Sequence, residues 1–107
     1  MNEFAYFFRG NPANYPGQFQ QQMQKWAAWM KELGAKTQVK ERGRPVERTG
    51  AILGAQNKKE NFGGSDDAIS GYMLIEAPDL AHATKLAEGC PIFDIGGTVE
   101  VRPVMKF

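Results

Sequence analysis

The chain is poor in the residues that build covalent and metal frameworks. Its 107 residues include one cysteine, Cys90, and one histidine, His82. A lone cysteine cannot close an internal disulfide, which fits a reducing compartment and predicts a cytoplasmic protein. A metal site needs three or four converging donors. Asp66, Asp67, His82 and Cys90 lack the spacing for one, so no metal is expected. Long apolar runs are missing as well. Nothing approaches the roughly 18 residues of a membrane span. Met1–Phe8 has none of the basic start, apolar stretch and small-residue cleavage site of a signal peptide. The formal net charge of +1 gives no bulk attraction to nucleic acid or to an anionic membrane. Neither a phosphate-binding G-x-x-x-x-G-K-[ST] pattern nor a dinucleotide fingerprint occurs. Gly63-Gly64-Ser65 therefore reads as a turn, and no cofactor is expected.

What is present has ordinary globular proportions, 42% hydrophobic and 23% charged residues. A chain of this length makes one domain, residues 1–107, and buries about two-thirds of its unfolded surface without staples. Phe4-Ala5-Tyr6-Phe7-Phe8 is aromatic and nearly continuous, which predicts a central strand ending at Arg9-Gly10-Asn11-Pro12. Pro16 is suited to open a helix. Phe19, Met23, Trp26, Met30 and Leu33 then recur at spacings of four and three as one apolar stripe, with Trp29 about a sixth of a turn to its side. Trp29 is placed at the core margin or a subunit contact. Gly34 is the expected stop.

The middle is polar and broken by Gly43 and Pro45, with short strands expected near Lys36–Lys40 and Thr49–Leu53 and a loop or irregular hairpin at Glu60–Ser65. Ser70–Ala77 is a clear strand. Asp79 caps the helix that follows, whose apolar face is Leu80, Ala83 and Ala87, and Gly89 and Pro91 end it. Gly97–Val104 is the closing strand. The order β-α, strands, β-α-β predicts an α+β domain of ferredoxin-like type, βαββαβ with an extra hairpin or loop in the middle. Two helices then cover one face of a mostly antiparallel sheet.

Ser70-Gly71-Tyr72-Met73-Leu74-Ile75-Glu76-Ala77, Ala87-Glu88-Gly89-Cys90-Pro91 and Gly97-Thr98-Val99-Glu100-Val101-Arg102-Pro103-Val104 resemble, in order and spacing, the YCII-related family, also called the DGPF-domain family. Trp26-Ala27-Ala28-Trp29-Met30 is similar to the tryptophan-bearing first helix of many members. The resemblance implies a ferredoxin-like fold and a homodimer in which two sheets face each other, as in dimeric α+β barrels. The chain departs from the family's pattern twice. Where members carry Asp-Gly-Pro-Phe, it reads Asn61-Phe62-Gly63-Gly64-Ser65-Asp66-Asp67. Where some carry a histidine at the start of the first helix, it reads Phe19-Gln20-Gln21-Gln22-Met23. No catalytic residue carries over.

Strand alternation sorts the remaining polar groups. Phe4, Tyr6, Phe8, Met73, Ile75, Val99 and Val101 fall on the face expected under the helices. Arg9, Tyr72, Glu76, Glu100 and Arg102 fall on the other, which a facing-sheet dimer would enclose. These five are the candidate ligand-binding residues for a small molecule held between the sheets. The alternative is that Glu76, Glu100 and Arg102 form cross-strand or intersubunit ion pairs in a non-catalytic dimerisation or regulatory module that binds no ligand. His82 is expected on the surface and Cys90 buried and inert. The basic residues Lys36, Lys40, Arg42, Arg44 and Arg48, diluted by Glu41 and Glu47 and without aromatics, read as a solvated loop and not as a nucleic-acid surface.

Overall fold

A computed structural model describes residues 1–106. The chain runs β1 (Asn2–Arg9), α1 (Phe19–Lys36), β2 (Val39–Glu41), β3 (Gly50–Leu53), β4 (Lys59–Phe62), β5 (Ile69–Ala77), α2 (Leu80–Leu86) and β6 (Thr98–Pro103), with a short 3₁₀ turn at Pro91–Ile95 before β6. β2, β5, β1 and β6 form one antiparallel sheet in that order. Both helices pack on it, the ferredoxin-like arrangement of the α+β class that the element order predicts. The polar middle forms a separate antiparallel hairpin, β3–β4, so the extra element is a hairpin.

β1 is central because its aromatic residues can bury between two neighbours. Phe4 lies opposite Ile75, Tyr6 between Met73 and Val101, and Phe8 beside Val99. Phe4, Tyr6, Phe8, Met73 and Ile75 are buried, and Val99 and Val101 pack against them half-buried. The Tyr6 hydroxyl donates to the Ala83 carbonyl and ties β1 to α2. Burial raises its phenol pKa well above the usual value, with the nearby Cys90 adding to the shift. Asp79 caps α2 by accepting from the His82 N–H at 2.8 Å. Ala83 and Ala87 are buried, whereas Leu80, expected beside them, is exposed.

The first helix differs from expectation in both bounds and phase. It opens at Phe19, not Pro16, because the Gln18 N–H is satisfied by the Gln21 side-chain oxygen at 3.2 Å. It continues through Gly34 to Lys36. Gly34 keeps helical backbone, and Ala35 and Lys36 after it are good helix formers. Its buried residues are Gln22, Trp29 and Leu33, while Phe19 and Met23 are 70% and 52% exposed. Leu33 of the expected stripe is buried, but at 100° per residue the inward seam is rotated about 70° from the rest of that stripe, Phe19–Met23–Trp26–Met30. Trp29 is thus a core residue, not a marginal one. It meets Trp26 and Phe8 edge-to-face at 5.7 and 6.2 Å.

Cys90 is buried, and desolvation pushes its thiol up to about 12. The thiolate, not the thiol, is the form that attacks disulfide reagents. Ellman's reagent at pH 8 should therefore label Cys90 at least about a hundredfold more slowly in the folded protein than in urea. Comparable rates in the two states would show the thiol to be accessible.

Candidate functional site

The sheet face away from the helices carries the five residues that alternation selects. In register, Tyr72, Phe7 and Glu100 form one row across β5, β1 and β6, and Leu74, Ala5 and Arg102 the next. Three of the polar groups come together. The Arg9 guanidinium approaches Glu100 Oε1 at 3.3 Å, and Arg102 Nε donates to Glu100 Oε2 at 2.6 Å. The hydrogen bond from Arg102, with Arg9 adding to it, holds the Glu100 carboxyl below the usual carboxylate range, against opposing desolvation. Glu76 stands apart and pairs with Lys40 at 3.3 Å, a partner supplied by β2. Tyr72 belongs to neither pair. The charges of this face are thus matched within one chain, and pairs this exposed contribute little to stability.

The apolar side chains that α1 leaves exposed or half-buried border a different feature. A cleft of about 660 Å³ opens between α1, the helix side of the sheet and the segment Arg42–Pro45. Phe19, Met23, Trp26 and Met30 form its helical wall, and Phe8, Met73, Ile92 and Ile95 its floor. Of the stripe that the spacing selects, Leu33 is buried and the other four residues face an opening. Trp26 stands edge-to-face to Phe8 at 5.2 Å, giving the wall a fixed aromatic surface. Of the five candidates from the sequence, only Tyr72 also lines the cleft.

The segment at the mouth is held by its backbone. Gly43 adopts φ +68° and lies so close to the Tyr72 carbonyl that a Cβ there would meet its oxygen at 1.8 Å. Pro45 bridges to Gly71, and the Val46 N–H donates to the Ser70 carbonyl at 2.9 Å. Arg42 and Arg44 consequently sit at the rim of the cleft, and Arg42 Nη2 lies 4.0 Å from Met30 Sδ. Sequence reasoning left both arginines in a solvated loop. The signal that marks them is a Gly-x-Pro neighbourhood beside a helix carrying more apolar surface than the sheet can cover.

A second depression, about 510 Å³, lies between the end of α1 and α2, but Glu32, Lys36, His82, Lys85 and Glu88 line it with charges of both signs. His82 is exposed there and pairs with Asp79 at 2.7 Å. Among the described residues no group of three or more His, Cys, Asp or Glu converges as a metal site, and no helix is long and apolar enough to cross a membrane.

An α+β domain with this strand order and two helices on one face is of ferredoxin-like type. The family model for the YCII-related domain matches residues 3–107, and the chain belongs to that family. Among solved structures it is similar to 5-chloro-2-hydroxyhydroquinone dehydrochlorinase from Burkholderia phenoliruptrix, a complex with 2,5-dihydroxybenzoquinone. The two are 22% identical, the match covers 96% of this chain and 93% of that one, and the TM-score is 0.51. This likeness bears on the fold. No curated protein matches the chain.

Proposed function

We propose that the protein binds a small organic molecule in the cleft between α1 and the sheet, and that it does so as a homodimer whose open sheet faces meet. One observation carries the binding reading. Phe19 and Met23 are exposed and Trp26 and Met30 only half-buried, together walling a space of about 660 Å³. Small-molecule pockets fall at about 300–1,000 Å³ and are lined mainly by apolar and aromatic groups with few polar ones. The similar dehydrochlorinase, by its description, binds a quinone ring, a ligand that a space of this size can hold.

The dimer reading rests on the opposite face. It presents both signs, with Arg9, Arg102 and Lys40 against Glu100 and Glu76, around half-buried Phe7 and Leu74. A two-fold interface needs that self-complementarity. In the alternative placement, the ligand sits between the sheets on Arg9, Tyr72, Glu76, Glu100 and Arg102.

A two-dimensional NMR titration with 2-naphthoate and its neutral amide, 2-naphthamide, separates the two. Saturable shifts of the Trp26 indole N–H and the Met23 and Met30 methyls are expected from at least one compound. The double variant E100Q/R102Q should keep those shifts while weakening self-association in sedimentation. Shifts confined to Arg9, Glu100 and Arg102, none of which lines the cleft, would move the site to the sheet face. Absence of saturable shifts from either compound would remove the small-molecule reading and leave the dimerisation module.

A further inference from the structure

We infer that the cleft selects a planar aromatic anion, its ring against the Trp26–Met23–Met30 wall and its carboxylate or phenolate at Arg42 and Arg44. The inference rests on the cleft being the binding site and adds the class of ligand.

Three observations converge on it. First, the two arginines at the rim are unmatched. Neither makes an ion pair among the described residues, whereas both arginines of the open sheet face, Arg9 and Arg102, do. Glu41 and Glu47 flank the segment in sequence, yet neither lines the cleft or pairs with either arginine. Second, the charge at the site is of one sign. The cleft is lined by Arg42 and Arg44 but by no aspartate or glutamate. A cationic ligand would meet two guanidinium groups without compensation, and a neutral one would leave them unused. A bound carboxylate can accept from the planar guanidinium fork in bidentate fashion, which an amide oxygen cannot match.

Third, the interior of the cleft holds one polar group suited to the far edge of a ring. Gln22 is 5% exposed and is the one polar residue in the otherwise hydrophobic buried set of the described chain. It lines the cleft. No buried side-chain polar atom among the described residues lacks a hydrogen-bond partner, so Gln22 is not an orphaned group but an amide donor and acceptor in the cleft lining. A ring hydroxyl, carbonyl or heteroatom would suit it. Between Gln22 and the arginines the lining is apolar: Met23, Trp26 and Met30 on one side, Phe8 and Met73 on the other. Methionine sulfur and the faces and edges of aromatic rings pack favourably on a flat π-system. An aliphatic acid would satisfy the arginines but not this slot.

The test compares 2-naphthoate with 2-naphthamide, which share a ring and differ in charge, by calorimetry and by the Trp26 indole signal. The wild type should bind naphthoate at least about tenfold more tightly than the amide, and that preference should shrink as salt rises. The double variant R42Q/R44Q should lower naphthoate to the level of the amide without moving the amide's own affinity. Q22L, measured with 6-hydroxy-2-naphthoate against 2-naphthoate, should erase any gain from the hydroxyl. Equal binding of the acid and the amide in the wild-type cleft would overturn the anion inference and leave the cleft as a neutral apolar site. A variant that loses both compounds equally would make the arginines structural and overturn it as well. Failure of both compounds to reach the cleft would remove the binding proposal and this inference together.

Discussion

Trp29→Ala is expected to destabilise the domain by about 3–5 kcal/mol, the range for removing a buried tryptophan from a packed core. Trp29 is 5% exposed and meets Trp26 and Phe8 edge-to-face, so its removal opens a cavity next to β1, the central strand. Total stabilities of domains this size are about 5–15 kcal/mol, so the variant should be partly unfolded at moderate urea where the wild type is native. Phe19→Ala and Met23→Ala lie on the same helix, at residues as apolar by type. They should shift the urea midpoint by no more than about 0.5 kcal/mol of stability, because both side chains are mostly exposed already. Their effect should appear in ligand affinity. If Phe19→Ala cost as much as Trp29→Ala, the buried seam of α1 would be the Phe19–Met23 stripe, and the cleft would have no uncovered wall.

That contrast shows where the sequence is legible and where it is not. In the strands, a period of two leaves only two faces to choose between, and the aromatic residues at Phe4, Tyr6 and Phe8 decide the choice. Every inward residue on β1 and β5, and the outward placement of Arg9, Tyr72, Glu76, Glu100 and Arg102, follows from it. A helix has no such binary choice. Phe19, Met23, Trp26, Trp29, Met30 and Leu33 span a wide arc, and periodicity fixes that a stripe exists without saying which edge of it meets the sheet. Here the larger buried area of Trp29 lies on the winning edge, and Gln22 is carried inward with it. The pairing of Glu76 with Lys40 was out of reach for another reason. It depends on the register of β2 on β5, a contact between segments about 35 residues apart that no local pattern encodes. Arg42 and Arg44 were hidden in the same way. They read as a solvated basic loop until the crossing of β5 places them at the rim of an apolar cleft.

Gly43→Ala should be the most damaging single change at that rim, and a second glycine provides its control. Gly43 and Gly64 both have positive φ, +68° and +77°. A methyl group at Gly64 meets nothing within 4 Å, so Gly64→Ala should cost only the backbone strain, about 1 kcal/mol. A methyl group at Gly43 would sit 1.8 Å from the Tyr72 carbonyl oxygen and 3.0 Å from its ring. Backbone cannot yield there as a flexible side chain would, because β2 pairs with β5 on one side and Pro45 and Val46 bond to Gly71 and Ser70 on the other. The segment must therefore lift off the strand edge. Gly43→Ala is expected to lose about 2 kcal/mol or more, with the excess over Gly64→Ala measuring the clash. Lifting the segment also displaces Arg42 and Arg44 from the rim while leaving the Trp26–Met23–Met30 wall in place. In the same naphthoate and naphthamide titrations, Gly43→Ala should lose the preference for the acid yet retain the amide, provided the fold is kept below its lowered melting temperature. Equal stability of the two glycine variants, with the acid preference intact in both, would mean that close contact with Tyr72 does not hold the arginines where they are.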